Sequence, residues 1–211
     1  MIMTAKRLIL SILLIIGFVY AQAQVRVACI GDSITEGAGI ESGKKYPDQL
    51  QTLLGSGYAV KNFGVSGRTL LKKGDYPYWN EKAYQDALTW NPQIVVIKLG
   101  TNDSKPQNWK YSSEFESDYR ALIQSFKSLA AKPVIYLCTP LPVFKDRWGI
   151  RESVVRDELV PKLKNIAVAE GLKVIDLYTA MGGEGALLPD GVHPDAAGAI
   201  VMAHEVFKVV R

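Results

Sequence analysis

Two short blocks of the sequence carry residue types that could perform nucleophilic chemistry. Ser33 lies in a Gly-Asp-Ser-Ile sequence, and His193 ends a Pro-Asp-Gly-Val-His sequence. A serine hydroxyl is a weak nucleophile and needs an adjacent base. The chain has two histidines: His193 lies in a loop after a predicted strand, whereas His204 lies inside a predicted helix. These positions favour His193 as the base that activates Ser33.

Asp190 precedes His193 by three residues. At that spacing its carboxylate can accept a hydrogen bond from the imidazole Nδ1–H, which fixes the tautomer whose Nε2 is free to take a proton. The sequence thus predicts a triad in the chain order Ser33, Asp190, His193. The alternative is that Asp190 only forms a turn after Pro189, since aspartates often bond their own backbone in turns.

Two further blocks follow predicted strands. One contains Gly67, just before Arg68, and the other contains Asn102 in a Gly-Thr-Asn-Asp sequence. Each block alone is a weak signal, because Gly-Asp-Ser is common in turns and Asn-Asp is common at helix caps. In this order, and at the ends of strands, the blocks together are a strong signal.

The elements that must position these residues alternate along the chain. Apolar runs predict strands over Val25–Ile30, Tyr58–Phe63, Ile94–Ile97, Val134–Cys138 and Val174–Leu177. Helical spacing covers Tyr46–Leu54, Glu81–Trp90, a helix opened by a Ser113–Glu116 capping box, Glu152 to Ala169 with a kink or restart at Pro161, and Asp195–Val210. The alternation predicts a single α/β domain in which helices cover both faces of a five-stranded parallel sheet. Functional groups of such sheets gather at the carboxyl ends of the strands.

Composition excludes several classes of protein. The chain has 211 residues, of which 48% are hydrophobic and 22% charged, so disorder and low-complexity fibre are excluded. A formal charge of +4, dispersed along the chain, does not predict nucleic-acid binding. Two cysteines and two histidines exclude a disulfide-dense scaffold and a His-rich metal site. Cys29 and Cys138 end two different predicted inner strands, so we expect buried free thiols rather than a disulfide.

The order of the four blocks resembles that of the SGNH hydrolases, the GDSL-type esterase and lipase superfamily, over the whole chain after its leader. In that family the serine of the first block is the nucleophile, which corresponds to Ser33. The other family residues correspond to Gly67, Asn102, Asp190 and His193. The first block has Ile where the family's name has Leu, a conservative difference.

The resemblance implies a flavodoxin-like α/β/α fold and a serine esterase that needs no cofactor and no metal. It also implies an oxyanion hole formed by the backbone N–H groups of Ser33 and Gly67 and the side-chain amide of Asn102. The residue types agree, because Gly67 has no Cβ to block a substrate and Asn102 offers an N–H donor.

Secreted single-domain members of this kind resemble carbohydrate O-acetylesterases acting on sialic acid or polysaccharides. We therefore expect short-chain esters, in particular acetyl esters, of a small molecule or glycan as substrates. A lysophospholipase or thioesterase of the same fold is the alternative, although no long apolar lid segment lies between the motifs. A non-catalytic carbohydrate-binding module is a third reading, but it would be expected to have lost Ser33 or His193.

Several residues near the motifs are candidates for contacting the substrate: Arg68, Tyr78, Trp79 and Trp109. The aromatic side chains could stack on a sugar or simply pack their loops, and the sequence favours neither. Lys98 interrupts an otherwise apolar strand, and we expect its ammonium group to extend to solvent.

The first 23 residues have the features of a secretory signal peptide. Lys6 and Arg7 precede an uncharged run over residues 8–21, and Ala21 and Ala23 flank a cleavage site. The run is shorter than the ~18 residues of a membrane span. The prediction is therefore a catalytic domain over 24–211 that acts outside the cytoplasm, without stable membrane insertion. An uncleaved anchor is the alternative.

Signal cleavage gives the first testable prediction. The mature protein should begin at Gln24, because the small residues Ala21 and Ala23 suit the signal peptidase. The intact mass of the secreted protein measures this directly. A mass that retains the apolar segment would instead indicate an anchor.

Overall fold

The computed structural model describes residues 23–211 and contains a five-stranded parallel sheet. The strands are β1 (Val25–Gly31), β2 (Tyr58–Gly64), β3 (Ile94–Lys98), β4 (Val134–Cys138) and β5 (Lys173–Ile175). Their spatial order is β2-β1-β3-β4-β5, and every neighbouring pair is parallel. This is the flavodoxin-like order. The predicted fold class is confirmed.

Helices cover both faces of the sheet. They are α1 (Ser33–Glu36), α2 (Tyr46–Leu54), α3 (Lys82–Trp90), α4 (Pro106–Trp109), α5 (Phe115–Lys127), α6 (Glu152–Val154), α7 (Val160–Glu170), α8 (Leu177–Ala180) and α9 (Ala196–Val210). Helices α2 and α9 pack on one face of the sheet, and α3, α5 and α7 pack on the other. Successive residues of β1 alternate between these two apolar layers, with Cys29 in one and Ile30 in the other. Because both faces are buried, the central strands are mainly apolar, and Lys98 at the end of β3 is an exception.

The start of α5 differs from the prediction. The capping box of Ser113 and Glu116 is not formed, and α5 begins at Phe115 after a 3₁₀ turn over Ser112–Glu114. The turn makes a backbone hydrogen bond from the Glu114 N–H to the Tyr111 carbonyl oxygen, of 2.9 Å. Such turns satisfy polar groups at a helix end without a side-chain cap, so no side-chain cap is needed here.

The helical stretch predicted from Glu152 is interrupted. A π-helical turn over Val155–Leu159 separates α6 from α7, and Pro161 lies in the first turn of α7. Proline has no N–H and is tolerated in a first turn, and the irregularity predicted at Pro161 takes the form of the π-helical turn directly before α7. Strand β5 ends earlier than predicted because Asp176 caps α8, its carboxylate accepting a hydrogen bond from the Thr179 N–H.

The two cysteines are buried free thiols, as predicted. Cys29 lies in β1 and Cys138 in β4, with β3 between them. Burial raises the pKa of Cys29 to about 12 and moves the pKa of Cys138 in the same direction.

The signal-peptide prediction for residues 1–23 lies outside the described residues except for Ala23. In the part of the chain that is described, no helix combines the length and the apolar character that a bilayer crossing requires.

Candidate active site

Ser33 lies at the turn between β1 and α1. Asp32 caps the helix, and its Oδ1 accepts a hydrogen bond of 3.0 Å from the Ile34 N–H. Gly31 has no room for a side chain, because a Cβ would lie 2.6 Å from the Lys98 carbonyl oxygen and 2.0 Å from Thr35 Oγ1. The tight turn thus places Ser33 at the carboxyl edge of the sheet, as the first residue of α1.

The structure brings Ser33, His193 and Asp190 together. Ser33 Oγ lies 2.8 Å from His193 Nε2, and His193 Nδ1 lies 2.9 Å from Asp190 Oδ2. Asp190 Oδ1 also accepts backbone N–H bonds from Val192 at 2.8 Å and from His193 at 2.7 Å. These bonds combine the two readings of Asp190, because one oxygen shapes the turn while the other contacts the imidazole.

Asp190 is arranged to remain a carboxylate. Partial burial opposes its charge, but the hydrogen bonds from the backbone and ring of His193 and from the Val192 N–H outweigh it. Together they hold the pKa of Asp190 below its ordinary value. An ionised Asp190 can stabilise a positive charge on His193.

Gly67 and Asn102 line the same cavity as Ser33. Gly67 has a φ of 80°, a left-handed conformation that favours glycine. Asn102 Nδ2 donates one hydrogen bond of 3.1 Å to the Arg68 carbonyl oxygen, which leaves its second amide hydrogen for another acceptor. Ser66 is held to α1 because its N–H and hydroxyl both donate to Glu36 Oε2. The loop that carries Gly67 is therefore tied to the helix that carries Ser33.

The cavity between these groups has a volume of about 220 Å³. Its remaining lining comes from Ala38, Lys105, Trp148 and Ile150. Sequence reasoning missed Trp148 and Ile150, which lie in the loop after β4. The rule that directs attention to the carboxyl ends of parallel strands applies to β4 as well, and would have pointed to this loop.

The aromatic side chains proposed to contact the substrate do not line the cavity. Tyr78 is only 1% exposed, and its hydroxyl donates a 2.6 Å hydrogen bond to the Phe63 carbonyl oxygen. Trp79 Nε1 donates to the Leu70 carbonyl oxygen at 2.7 Å. Trp109 is 7% exposed, and its Nε1 donates to Glu158 at 2.9 Å. These three aromatic side chains therefore pack their loops and do not line the cavity.

Arg68 also supports the loop instead of lining the cavity. Its Nε donates to Glu81 Oε1 at 2.8 Å, and its Nη1 donates to the Ser66 carbonyl oxygen at 2.7 Å. The bond to Ser66 spans Gly67 and holds its loop, while the bond to Glu81 ties Arg68 to the residue before α3.

Lys98 does not extend to solvent, which corrects the sequence prediction. It is fully buried, and its Nζ lies 3.2 Å from both carboxylate oxygens of Asp32 and 2.7 Å from Thr101 Oγ1. Burial lowers the pKa of Lys98 below its ordinary value, and the nearby Asp32 carboxylate offsets only part of this shift. The expected extension to solvent is wrong because the buried Asp32 carboxylate lies within reach of the Lys98 ammonium group.

Asp103 holds the loop that follows Gly67 through hydrogen bonds to its backbone. It is fully buried, and its carboxylate oxygens accept hydrogen bonds from the N–H groups of Leu70 and Leu71 at 2.9 and 2.8 Å. Burial raises the pKa of Asp103 to about 7 against the effect of these two bonds. These bonds tie the loop after Gly67 to the turn that carries Asn102.

A sequence model of the GDSL-like lipase/acylhydrolase family matches residues 29–199, a range that contains Ser33, Asp190 and His193. The chain belongs to this family. This match confirms the expected resemblance and places the chain among acylhydrolases. Among residues 23–211, no group of three or more His, Cys, Asp or Glu side chains could hold a metal ion.

Relatives of this acylhydrolase include an acetylxylan esterase of Xylanibacter ruminicola. It is 46% identical over 207 aligned residues, and the match covers 89% of this chain and 43% of that protein. The chain thus spans less than half the length of this relative.

Solved structures share the fold at lower identity. An acetyl xylan esterase superposes with a TM-score of 0.70 at 22% identity, covering 89% of this chain and all of that one. A carbohydrate acetylesterase from Sinorhizobium meliloti gives a TM-score of 0.70 at 20% identity, over 89% of this chain and 98% of that one.

The buried ion pair leads to a stability prediction. Lys98→Met should lower the free energy of unfolding by about 3–5 kcal/mol, because Asp32 is left buried without its counter-charge. Chemical denaturation monitored by circular dichroism measures the loss.

The double variant Asp32→Asn/Lys98→Met is the matched control. Asparagine still caps α1, and no unpaired charge remains, so part of the lost stability should return. Unchanged stability of Lys98→Met alone would contradict the assigned role of the pair.

Proposed function

We propose that this chain hydrolyses acetyl esters of carbohydrates through an acyl-enzyme intermediate, outside the cytoplasm. The observation that carries the proposal is the chain of contacts from Ser33 through His193 to Asp190 at the wall of a small cavity. The relative that is named as an acetylxylan esterase supports a polysaccharide substrate over sialic acid. The signal peptide predicted over residues 1–23 supports export.

Acylation would begin when Ser33 Oγ forms a bond to the ester carbonyl carbon and its proton passes to His193 Nε2. The carbonyl oxygen becomes an oxyanion, which the N–H groups of Ser33 and Gly67 and the amide of Asn102 would stabilise. His193 then gives the proton to the alcohol oxygen as the bond from that oxygen to the carbonyl carbon breaks. The acetyl group remains on Ser33.

Deacylation would reverse these roles with water as the nucleophile. His193 removes a proton from the water, the hydroxide oxygen bonds to the acyl carbon, and Ser33 Oγ leaves with the proton from His193. Asp190 holds Nδ1 of His193 and balances the positive charge that the ring carries in both steps. The products are the free enzyme and acetic acid, which releases its proton to water to give acetate.

The size of the cavity supports a short acyl group. Its volume of about 220 Å³ lies below the ~300–1,000 Å³ of pockets that bury drug-sized ligands. A long acyl chain would extend into water and lose its hydrophobic contribution to binding. The alternatives, a lysophospholipase or a thioesterase for long acyl chains, are less favoured for this reason. A non-catalytic binding module would have no need of the contact between Ser33 and His193.

Acetate release from acetylated xylan tests the proposal. The unmodified chain should release acetate, and Ser33→Ala should lower turnover by roughly four to six orders of magnitude with the fold intact, because the triad acts as a unit. The exposed Ser117→Ala on α5 is the control and should retain full activity. The 4-nitrophenyl acetate ester should be hydrolysed far faster than the dodecanoate. Equal rates on the two esters, or an active Ser33→Ala, would overturn the proposal.

The oxyanion role of Asn102 can be tested separately. Asn102→Ala should lower kcat by ~10²–10³ with little change in KM, because the amide acts mainly on charge that develops in the transition state. Asn102→Asp should be at least as damaging, since it places a negative charge beside the oxyanion. Steady-state kinetics and melting temperatures on both variants measure these effects.

A purely structural Asn102 predicts a different result. As a cap after β3 it would tolerate Asp well, and Asn102→Ala would lose ~1 kcal/mol of stability with kcat preserved. An active Asn102→Asp enzyme would therefore exclude the oxyanion role.

A further inference from the structure

The loop between β4 and α6 carries an exposed aromatic side chain to the mouth of the cavity. Trp148 is 52% exposed and lines the cavity together with His193. The centroids of the indole and imidazole rings lie 5.2 Å apart, with an angle of 56° between the ring planes. A half-exposed indole at the wall of a cavity offers an apolar face to a ligand that enters the cavity.

The backbone holds the indole in this place at a conformational cost. Trp148 has a φ of 52° and Gly149 a φ of 80°, so two consecutive residues are left-handed. They form a two-residue turn closed by a 2.8 Å hydrogen bond from the Ile150 N–H to the Arg147 carbonyl oxygen. Bulky residues rarely adopt this conformation, and strained residues of this kind cluster at ligand sites.

The loop is tied to both halves of the site. The Phe144 N–H donates a 2.9 Å hydrogen bond to the carbonyl oxygen of Gly191, which lies in the block that contains Asp190 and His193. On the other side, the Arg151 N–H and Nε donate to the Oγ and carbonyl oxygen of Ser104, just after Asn102. These bonds fix the position of Trp148 relative to both blocks.

The chemistry of the proposed reaction decides which part of the substrate meets Trp148. His193 Nε2 must protonate the alcohol oxygen that leaves, so the alcohol lies on the side of His193. The carbonyl oxygen lies on the side of the donors, Gly67 and Asn102. Because the indole packs beside His193, it faces the alcohol part of the ester.

We propose that Trp148 is the platform on which a sugar ring of the alcohol part stacks. This inference rests on the proposed function and specifies the alcohol side of the same site. A sugar ring presents an apolar C–H face and a polar edge. The Arg147 guanidinium lies over the Trp148 ring, 4.6 Å from its centroid, so the sugar packs on the apolar indole surface that this group leaves exposed. Arg147 and Lys105 in the cavity wall supply donors for the hydroxyl groups.

The same charged groups argue against an acyl chain on this surface. An alkyl chain lying across Trp148 would remove water from Arg147 and Lys105 without offering a hydrogen bond in return. A sugar offers hydroxyl groups to both. The surface beside His193 is therefore suited to a carbohydrate alcohol.

Kinetics with two acetyl esters test the platform. Trp148→Ala should raise KM for acetylated xylotriose by about 3- to 10-fold with kcat little changed, because the loss is one stacking contact. Ethyl acetate has no ring to stack, so its kcat/KM should fall by a clearly smaller factor than that for the trisaccharide. Trp148→Phe should restore most of the affinity for the trisaccharide, since it keeps an aromatic face.

Phe144→Ala is the matched control, because Phe144 is a 44% exposed aromatic side chain of the same loop that does not line the cavity. It should leave both substrates unaffected. An unchanged KM of Trp148→Ala for the trisaccharide would overturn the platform, and so would a parallel loss of kcat on both esters, which indicates support of His193 alone. Should the unmodified chain hydrolyse ethyl acetate but not the trisaccharide, the proposed carbohydrate substrate fails, and the platform with it.

Discussion

The ion pair between Asp32 and Lys98 joins the carboxyl ends of the two central strands, and the site is assembled around it. Asp32 precedes Ser33 and caps its helix, while Lys98 also bonds Thr101, which precedes Asn102. Asp32, Lys98 and Thr101 form one buried hydrogen-bonded group. The proposed nucleophile Ser33 and the proposed oxyanion donor Asn102 each follow a member of this group directly in the chain. A fully buried pair is costly to desolvate, but breaking it is costlier still. The pair therefore fixes the relative position of two blocks that are far apart in sequence.

The fold could be predicted from the sequence because its signals are local. The central strand β3 is a continuous β-branched run, and Tyr46–Leu54 has helical spacing that ends at Gly55 with the same bounds in the structure. The meeting of Ser33 and His193, separated by 160 residues, follows from one rule about the carboxyl ends of parallel strands. Chemistry placed at strand ends is thus accessible to sequence reasoning even when its parts are distant along the chain.

The side chains around the triad could not be assigned in this way, because their roles depend on tertiary contacts. Tyr78 and Trp148 are both aromatic residues in loops, yet one is buried against Phe63 and the other is exposed beside His193. Nothing in the local sequence distinguishes them. Lys98 was misjudged for the same reason, since its partner lies 66 residues earlier in the chain. The predicted capping box of α5 is absent because a 3₁₀ turn over Ser112–Glu114 precedes the helix.

The separation of the two thiols has a consequence for how the chain can be made. Cys29 and Cys138 lie on strands that are not neighbours, and their burial favours the protonated form, which is unreactive in disulfide exchange. The native fold therefore makes no demand on the redox state of its surroundings. Residues 24–211 need neither an oxidant nor an isomerase to mature, so the domain should reach the same structure in a reducing cytoplasm as in an oxidising medium.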